Sequence, residues 1–370
     1  MIFLIGAFTV LHVLFYLKLT VGWSRIGVMK ENNESFIPFT VIIPVRNEAD
    51  TIDAILNRLN EQEYPKDFFE VIVVDDFSED QTVTIAKKTM ESLSISIRLI
   101  QLKDEARQGK KHALTAAVKE ASFETILTTD ADCWFGKEWI KSFNDAFESD
   151  TNMVAGPVVI EGQGFFARLQ QVEFAGLMGF GAVTITEENP SMCSGANLGF
   201  RKKAFEEVGG YTNNLFTPSG DDEFLLFNIM QKFPNSARFL KSEKAIVNTP
   251  AHAKFYSFIN QRTRWTSKWK HNMNRKVRIS AILFFLDYLT FYGAIGLAIA
   301  GYLDTVPLAL VIIVRFLSLL IYVSPINSFL KGKSSFWPLL FFQIIYPLHV
   351  LFMGFNSIFG SYTWKGRKYG

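Results

Sequence analysis

The segregation of apolar residues into the two ends of the chain is the feature that most constrains its fold. Residues 1–23 contain no Lys, Arg, Asp or Glu before Lys18. Three further apolar segments of roughly membrane-spanning length lie at 281–303, 306–323 and 336–359. The sequence between them has the composition of a soluble domain. We therefore expect a transmembrane anchor (1–23), a soluble domain (38–275), a membrane region of two or three helices (280–360) and a basic tail (361–370).

The positive charges near the first apolar segment indicate its orientation. Lys18, Arg25 and Lys30 all follow most of the apolar run, whereas a cleaved signal peptide has basic residues before a shorter run. The segment is therefore predicted to be an uncleaved anchor with the soluble domain in the cytoplasm. The loop at 331–333 and the basic tail also favour the cytoplasm, and three full C-terminal spans cannot satisfy both. The sequence therefore leaves three or four spans open. Either one segment is re-entrant or interfacial, with the last one, around Pro347, as the candidate, or the charge rule does not hold for this chain.

Charged residues and cysteines narrow the class of protein. The formal net charge is +2, which gives no indication of nucleic-acid binding. Cys133 and Cys193 are too few for a disulfide framework or a cysteine-based zinc site, and they fit a reducing compartment. Asp287 and Arg315 lie within apolar segments, where an ionisable group is costly, so we expect them to face a bundle interior or an interface.

Short apolar runs alternate with helical periodicity in the central region. The strand and helix segments, in chain order, are 40–44, 50–60, 71–74, 79–90, 95–102, 111–121 and 125–129. Repeated strand–helix units predict an α/β fold with a mostly parallel sheet, which binds ligands beyond the carboxyl ends of its strands. Two acid pairs, Asp75 with Asp76 and Asp130 with Asp132, directly follow strands. Both pairs are therefore expected at the ligand-binding edge.

Asp130 and Asp132 are separated by one residue. Two carboxylates at this spacing can share a hard cation such as Mg²⁺ or Mn²⁺, whose other coordination positions bind diphosphate oxygens. An acidic turn or a helix cap is the alternative. The sequence contains no GxxxxGK[ST] phosphate loop and no strand-linked GxGxxG, so a metal-held diphosphate is favoured.

Seven short motifs occur in an order typical of one enzyme family. They are VIIPVRNE (41–48), VVDDFSED (73–80), GKKHAL (109–114), TDADCW (129–134), CSGANLGFRKKAFEEVGGY (193–211), GDDEFLL (220–226) and QRTRW (261–265). Together they resemble the family 2 glycosyltransferases with a GT-A fold. The closer resemblance is to the membrane branch, which includes cellulose, chitin, hyaluronan and poly-N-acetylglucosamine synthases and ceramide glucosyltransferase. It covers residues 39–270 and implies a Rossmann-like, mostly parallel cytoplasmic domain flanked by transmembrane helices.

The resemblance assigns residues to the nucleoside of the donor. Asp75 and Asp76 match the nucleoside-binding acid pair, one of which accepts the uracil N–H. Glu48 matches the acid near the base and ribose, and Lys110 matches a basic residue near the nucleotide. A solvated strand end is the alternative for Asp75 and Asp76.

The resemblance also assigns residues to the metal and the diphosphate. Asp130 and Asp132 match the metal-binding DxD motif, with Asp130 also facing the donor. Gln261, Arg264 and Trp265 match the QxxRW signature, in which Arg can bind a diphosphate bidentately and Trp forms a wall for a sugar ring. An amphipathic basic helix resting on a membrane is the alternative for this segment.

On the acceptor side, Asp222 matches the general base that deprotonates the acceptor hydroxyl. Asp221 stands before it where the family usually has Glu, and an acid cluster at a helix N-terminus is the alternative for both. Cys193 and Gly195 loosely resemble the acceptor-side motif of polymerising synthases, and an inert packed thiol is the alternative for Cys193.

These assignments imply an inverting, metal-dependent transfer from a nucleotide-sugar, with a UDP-sugar favoured, to a growing polysaccharide or lipid-linked glycan. Single transfer to ceramide, diacylglycerol or polyprenyl phosphate is the alternative acceptor reaction. A non-catalytic membrane scaffold that retains the fold is an alternative of another class, against which the complete acid set argues. We expect a multi-pass protein of a bacterial inner membrane with its catalytic domain in the cytoplasm. The apolar segment 164–180 is predicted to be either an interfacial or a core helix.

Overall fold

The computed structural model describes residues 2–29, 35–104, 108–212, 215, 219–267, 275–333, 336–359, 361–364 and 367–369. Its α-helices are α1 (Ile2–Arg25), α2 (Ile52–Asn60), α3 (Thr82–Met90), α4 (Lys110–Glu120), α5 (Trp139–Ala146), α6 (Gly164–Thr186), α7 (Lys202–Glu207), α8 (Asp221–Lys232), α9 (Phe255–Ser267), α10 (Arg275–Ile299), α11 (Thr305–Phe329) and α12 (Phe336–Phe359). Its strands are β1 (Phe39–Val45), β2 (Phe69–Asp75), β3 (Ser96–Gln101), β4 (Thr125–Thr128), β5 (Trp134–Phe135), β6 (Met153–Ala155), β7 (Val158–Glu161), β8 (Leu198–Arg201), β9 (Ala237–Phe239), β10 (Val247–Pro250), β11 (Tyr362–Trp364) and β12 (Arg367–Tyr369). The described chain forms two compact units, a central unit and a helical unit.

The central unit (Ile26–Glu161 and Gly181–Pro250) is built on a seven-stranded sheet. Its strand order is β3-β2-β1-β4-β8-β6-β9, with β1 parallel to both β2 and β4, and with β8 antiparallel to both β4 and β6. In this register Val41 lies beside Val71 on one side and Leu127 on the other. A smaller sheet has the order β5-β10-β7. The predicted α/β fold with a mostly parallel sheet is confirmed.

Strand β2 is buried along its whole length, and β1 is buried at every residue except Pro44, which is half-buried. Such continuous runs are typical of parallel strands that are buried on both faces. Helix α2 contributes Ile52, Ile55, Leu56 and Leu59 to the core. Trp139 of α5 is also buried, and its indole N–H donates to Asn197 Oδ1 at 2.9 Å. Asn197 in turn donates to the carbonyls of Pro157 and Ala245, so it fixes the chain just before β8.

The helical unit (Met1–Arg25, Gly162–Phe180 and Ala251–Gly370) contains the apolar segments. Among the described residues, four helices are long and apolar enough to cross a membrane: Phe3–Arg25, Ile279–Ile299, Thr305–Phe329 and Phe336–Asn356. Helix α12 continues through Pro347 without a break. The expected segments are therefore helices of spanning length, and their insertion and orientation remain predictions.

Asp287 and Arg315 meet inside this unit, as expected for ionisable groups in apolar helices. The two terminal nitrogens of Arg315, Nη1 and Nη2, each lie 2.7 Å from an oxygen of the Asp287 carboxylate. His12 Nδ1 lies 3.0 Å from Asp287 Oδ2. All three side chains are buried. The triad joins α1, α10 and α11.

Two segments that were predicted within the soluble domain, 38–275, belong to the helical unit. These are residues 162–180 of the α6 region and the chain from 251 onward, which includes α9. The Tyr322 hydroxyl of α11 donates to the Gly176 carbonyl of α6 at 2.7 Å. A Cβ at Gly179 would lie 2.2 Å from Ile326 Cδ1, so a larger residue here would require the Ile326 side chain to shift. The buried residues along α6 favour the core alternative for this segment.

Candidate active site

The two acid pairs lie at one edge of the large sheet. Strands β2 and β4 flank β1, and all three are parallel, so their carboxyl ends share an edge. Asp75 ends β2, and Asp130 follows β4 by two residues. The Asp76 N–H donates to the Val45 carbonyl at 2.9 Å, which ties the first pair to the end of β1. The expected placement of both pairs at the carboxyl edge therefore agrees with the structure.

Asp75 and Asp76 are buried and hydrogen-bonded to backbone. The Asp75 carboxylate accepts the Ser78 N–H at 3.2 Å, and Asp76 Oδ1 accepts the Gly109 N–H at 2.8 Å. Gly109 has φ +107°, a conformation that favours glycine, and it directly precedes α4. Asp76 thereby fixes the start of the helix whose first residue is Lys110. The nucleoside-binding role of the pair remains a prediction.

Arg46 organises the loop after β2, a role that sequence reasoning did not identify. Its guanidinium is buried and donates to the carbonyls of Asp76 and Phe77 at 2.8 and 2.6 Å and to Glu79 Oε1 at 2.8 Å. Glu48, two residues later, is half-buried and accepts the Thr51 hydroxyl at 3.0 Å. The motif VIIPVRNE could have indicated this role, because an Arg that directly follows buried strand residues needs hydrogen-bonding partners nearby.

Lys110 connects the DxD motif to the second acid pair. Its Nζ lies 2.7 Å from Asp130 Oδ1 and 3.5 Å from Asp221 Oδ2. Burial lowers the pKa of Lys110, but the carboxylates of Asp130, Asp221 and Asp222 outweigh this effect and hold the pKa above its ordinary value. Lys110 is therefore a fixed positive charge between the two acid pairs. Its neighbour Lys111 is buried, with Nζ 5.0 Å from the Phe224 ring centroid.

Asp130, Asp132 and Cys133 each present a candidate ligand atom within 4.8 Å of the others. The Cys133 N–H donates to the Asp130 carbonyl at 3.1 Å, and this turn directs the side chains together. Burial raises the pKa of the Cys133 thiol, and the two carboxylates raise it further, so the thiol stays neutral. Neutral thiols are poor ligands, whereas carboxylate oxygens suit Mg²⁺ and Mn²⁺. The donor set fits a hard divalent cation held by Asp130 and Asp132.

Gly195 brings the acceptor-side motif to the second acid pair. Its N–H donates to Asp222 Oδ2 at 3.0 Å, and its carbonyl accepts the Thr128 hydroxyl at 2.8 Å. A Cβ on Gly195 would lie 3.1 Å from Asp221 Oδ2, so the backbone approaches the acids closely. Cys193, two residues earlier, is half-buried. Sequence reasoning named Gly195 only through a loose motif and did not anticipate its bond to Asp222.

Asp221 and Asp222 begin α8, after Gly220 at φ +83°. Their position in the first helical turn is also what the helix-terminus alternative requires. Nearby Tyr211 is buried, and burial followed by the charges of Asp221 and Asp222 raises the pKa of its phenol, which keeps it neutral. The structure thus gathers Lys110, Asp130 and the acids of α8 in the central unit.

Gln261, Arg264 and Trp265 lie on α9 in the helical unit. Each is half-buried. The neighbouring Arg262 is buried, which its place among basic residues did not indicate. The donor-binding role of the signature remains a prediction.

Comparison with known proteins identifies the family. The family described as glycosyl transferase family 2 matches residues 40–209. The family described as glycosyl transferase family group 2 matches residues 125–326, which is more than half of the 370 residues.

Curated relatives agree with this assignment. Glycosyltransferase AglE of Haloferax volcanii is 30% identical over 202 residues, covering 51% of this chain and 60% of the relative. The poly-beta-1,6-N-acetyl-D-glucosamine synthase of Staphylococcus epidermidis is 22% identical over 204 residues, covering 53% and 47%. The poly(ribitol-phosphate) beta-N-acetylglucosaminyltransferase TarS of Staphylococcus aureus is 35% identical over 119 residues, covering 31% and 20%. The matched part of this chain thus corresponds to between one fifth and three fifths of the length of these relatives.

A solved structure shows the same fold. Mannosyltransferase PcManGT from Pyrobaculum calidifontis, in complex with GDP-Man and Mn²⁺, superposes with a TM-score of 0.62 at 19% identity. The superposition covers 94% of this chain and 98% of that one. The GT-A fold and the family expected from the seven motifs are confirmed, and the chain belongs to the family 2 glycosyltransferases.

Proposed function

We propose that the chain is an inverting, metal-dependent glycosyltransferase that moves a sugar from a nucleotide-sugar to an acceptor presented by a membrane. The observation that carries this proposal is the contact of Lys110 with Asp130 on one side and Asp221 on the other. One ammonium between the DxD acid and the second acid pair makes them parts of a single charged site. A donor diphosphate and an acceptor hydroxyl need such neighbouring groups of opposite charge.

On the donor side, Asp130 and Asp132 would hold Mg²⁺ or Mn²⁺. The bound ion supplies positive charge for the departing diphosphate, and Lys110 adds a second, fixed positive charge. The match to the family motifs assigns the nucleoside to Asp75, Asp76 and Glu48. It assigns the diphosphate and the sugar to Gln261, Arg264 and Trp265. A UDP-sugar is the favoured donor from the family resemblance. Because PcManGT was solved with GDP-Man and Mn²⁺, guanosine donors and Mn²⁺ belong in the test.

On the acceptor side, Asp222 acts as the general base. It accepts the proton of the acceptor hydroxyl while that oxygen attacks the anomeric carbon in line with the leaving group. The bond between the anomeric carbon and the diphosphate oxygen breaks, and the nucleoside diphosphate leaves with the electron pair. The N–H groups of Gly195 and Glu223 donate to the two Asp222 oxygens at 3.0 and 2.8 Å. These bonds orient the carboxylate, while each oxygen keeps a lone pair for the proton.

The acceptor is proposed to be a glycan chain or a lipid-linked glycan. This follows the names of TarS and the poly-beta-1,6-N-acetyl-D-glucosamine synthase, which act on polymers. The four helices of spanning length support an acceptor that is reached at a bilayer surface. Labelled donor and membranes separate the two acceptor reactions: a ladder of products supports polymerisation, and one sugar on an extractable lipid supports single transfer.

A donor screen with the purified full chain tests the proposal. Release of UDP or GDP from UDP-sugars and GDP-Man is measured with Mn²⁺ and with a chelator, which should abolish release. Asp222→Asn should lower turnover by about 10²- to 10⁴-fold while nucleotide binding survives. Glu223→Gln removes an acid from the same helical turn and should retain activity. Near-native turnover of Asp222→Asn would show that another group is the base, and binding without any turnover in the unmodified chain would favour the scaffold alternative.

A further inference from the structure

Arg262 lies within the QRTRW signature at a position to which the resemblance assigns no role. Its side chain is 3% exposed, and its partner Glu173 of α6 is 5% exposed. Arg262 Nε lies 3.2 Å from Glu173 Oε1, and Nη2 lies 2.6 Å from Oε2. A buried charge is retained only where it is paired and hydrogen-bonded. The pair therefore fixes the guanidinium in one place and one plane.

Through a further nitrogen this guanidinium contacts α9 itself, and two aromatic rings of α9 also contact it. Nη1 donates to Gln261 Oε1 at 2.5 Å. The Arg262 Cζ atom lies 4.2 Å from the Trp265 ring centroid and 4.5 Å from that of Phe258. A planar guanidinium can hydrogen-bond in its plane and stack on its faces at once, which an ammonium cannot do. Arg262 thus contacts two signature side chains, the Gln261 amide and the Trp265 indole.

The surrounding helices hold this arrangement from two sides. Phe174, next to Glu173 on α6, lies 5.9 Å from Trp265 between ring centroids. From α12, His349 Nε2 lies 3.9 Å from Glu173 Oε1, and Asn356 donates to the Thr263 hydroxyl at 2.7 Å. We propose that Arg262 and Glu173 are a positioning pair that sets the orientation of Gln261 and Trp265 for the donor. This inference rests on the proposed function, because it takes these two residues as donor contacts.

The test compares this ion pair with another buried pair in the same unit. Glu173→Gln and Arg262→Lys are expected to lower kcat/KM for the donor about 10- to 100-fold, since a small misplacement of binding groups has effects of this size. Arg262→Lys keeps the charge balance, which guards against simple misfolding. Asp287→Asn breaks the pair with Arg315 and serves as the control: it should lower thermal stability but leave donor kcat/KM within about twofold. Rates are measured well below each variant's melting temperature.

Two results would overturn the inference. One is a donor kcat/KM equal to that of the wild type in both Glu173→Gln and Arg262→Lys. The other is a loss of kcat/KM in Asp287→Asn as large as in those two variants, which would show that any disturbance of packing in this unit lowers activity. Failure of the proposed function looks different, because Gln261→Ala and Trp265→Ala would then leave donor affinity intact. In that case the fluorescence emission of Trp265 still tests the pair. It is obtained by subtracting the spectrum of a Trp265→Phe variant from that of the matching protein with Trp265. If the pair orients the ring, this emission changes with Arg262→Lys, and an unchanged emission would overturn the inference.

Discussion

Replacing Lys110 with Gln removes a cation that contacts both Asp130 and Asp221. Under the proposed function, a divalent ion would need the Asp130 carboxylate that this ammonium neutralises, so the ammonium and the ion would compete for it. In the proposed reaction the same ammonium adds positive charge where the diphosphate departs. Lys110→Gln is therefore expected to tighten Mn²⁺ binding and, at saturating Mn²⁺, to slow transfer.

The size of each effect can be worked from the site. The Asp130 side chain is 38% exposed, so a water-like dielectric applies. If Mn²⁺ bound Asp130 about 5 Å from the Lys110 ammonium, the double and single positive charges would repel by roughly 1.7 kcal/mol at a dielectric constant of about 80. Screening by salt reduces this to about 1 kcal/mol, or roughly fivefold tighter Mn²⁺ binding. If Lys110 lies beside the leaving group as proposed, loss of its fixed charge should lower kcat by about 10²- to 10³-fold.

The assay is a Mn²⁺ titration of chelator-treated protein, with the free ion measured by electron paramagnetic resonance, followed by donor turnover. Lys111→Gln is the matched control, since it removes the same charge from the next residue, whose ammonium lies over the Phe224 ring. The control should change Mn²⁺ affinity by less than about twofold. Equal or weaker Mn²⁺ binding in Lys110→Gln, or equal tightening in Lys111→Gln, would refute the competition argument.

Two further substitutions test other parts of the central unit. Gly195→Ala places a methyl group 3.1 Å from Asp221 Oδ2, which displaces the acids by a few tenths of an ångström. The kcat should therefore fall about tenfold, while nucleotide affinity is retained. An unchanged single-turnover rate would contradict this expectation. For Glu70, burial raises the carboxyl pKa, but hydrogen bonds, led by that from the Ser122 N–H, lower it below 4.5. Its stabilisation is therefore present above pH 4.5 and lost as the pH falls through the folded-state pKa. Glu70→Gln should cost about 2 kcal/mol at pH 7, and the melting-temperature difference from wild type should shrink below pH 4; a constant difference would contradict the assignment.

Local sequence patterns predicted the frame of the site well. The run at 71–74 is apolar enough to define β2, and the strand before Asp130 places that acid at the carboxyl edge without knowledge of any distant residue. Such patterns depend only on residues that are close in the chain, so they predict strands, helices and the order of the motifs.

Contacts between distant residues were beyond this reasoning. The bond from Gly195 to Asp222 joins residues 27 positions apart, and that from Arg262 to Glu173 joins residues 89 positions apart. Neither residue type nor spacing indicates such a pairing. The helix at 164–180 shows the same limit, since an apolar segment with few charges has the same composition in a core or at an interface.

The division of the chain into interleaved units determines how the protein can be shortened. The chain passes between the units at residues 25–26, 161–162, 180–181 and 250–251. A fragment that ends after α9 would keep α6 but lose Tyr322, which covers Gly176, and His349, which lies beside Glu173. The newly exposed face of α6 would then be apolar, and the Arg262–Glu173 ion pair would be open on one side. Deleting the terminal apolar helices alone would consequently give an aggregating protein, and a well-behaved soluble fragment would also require replacement of residues 162–180 by a short polar linker.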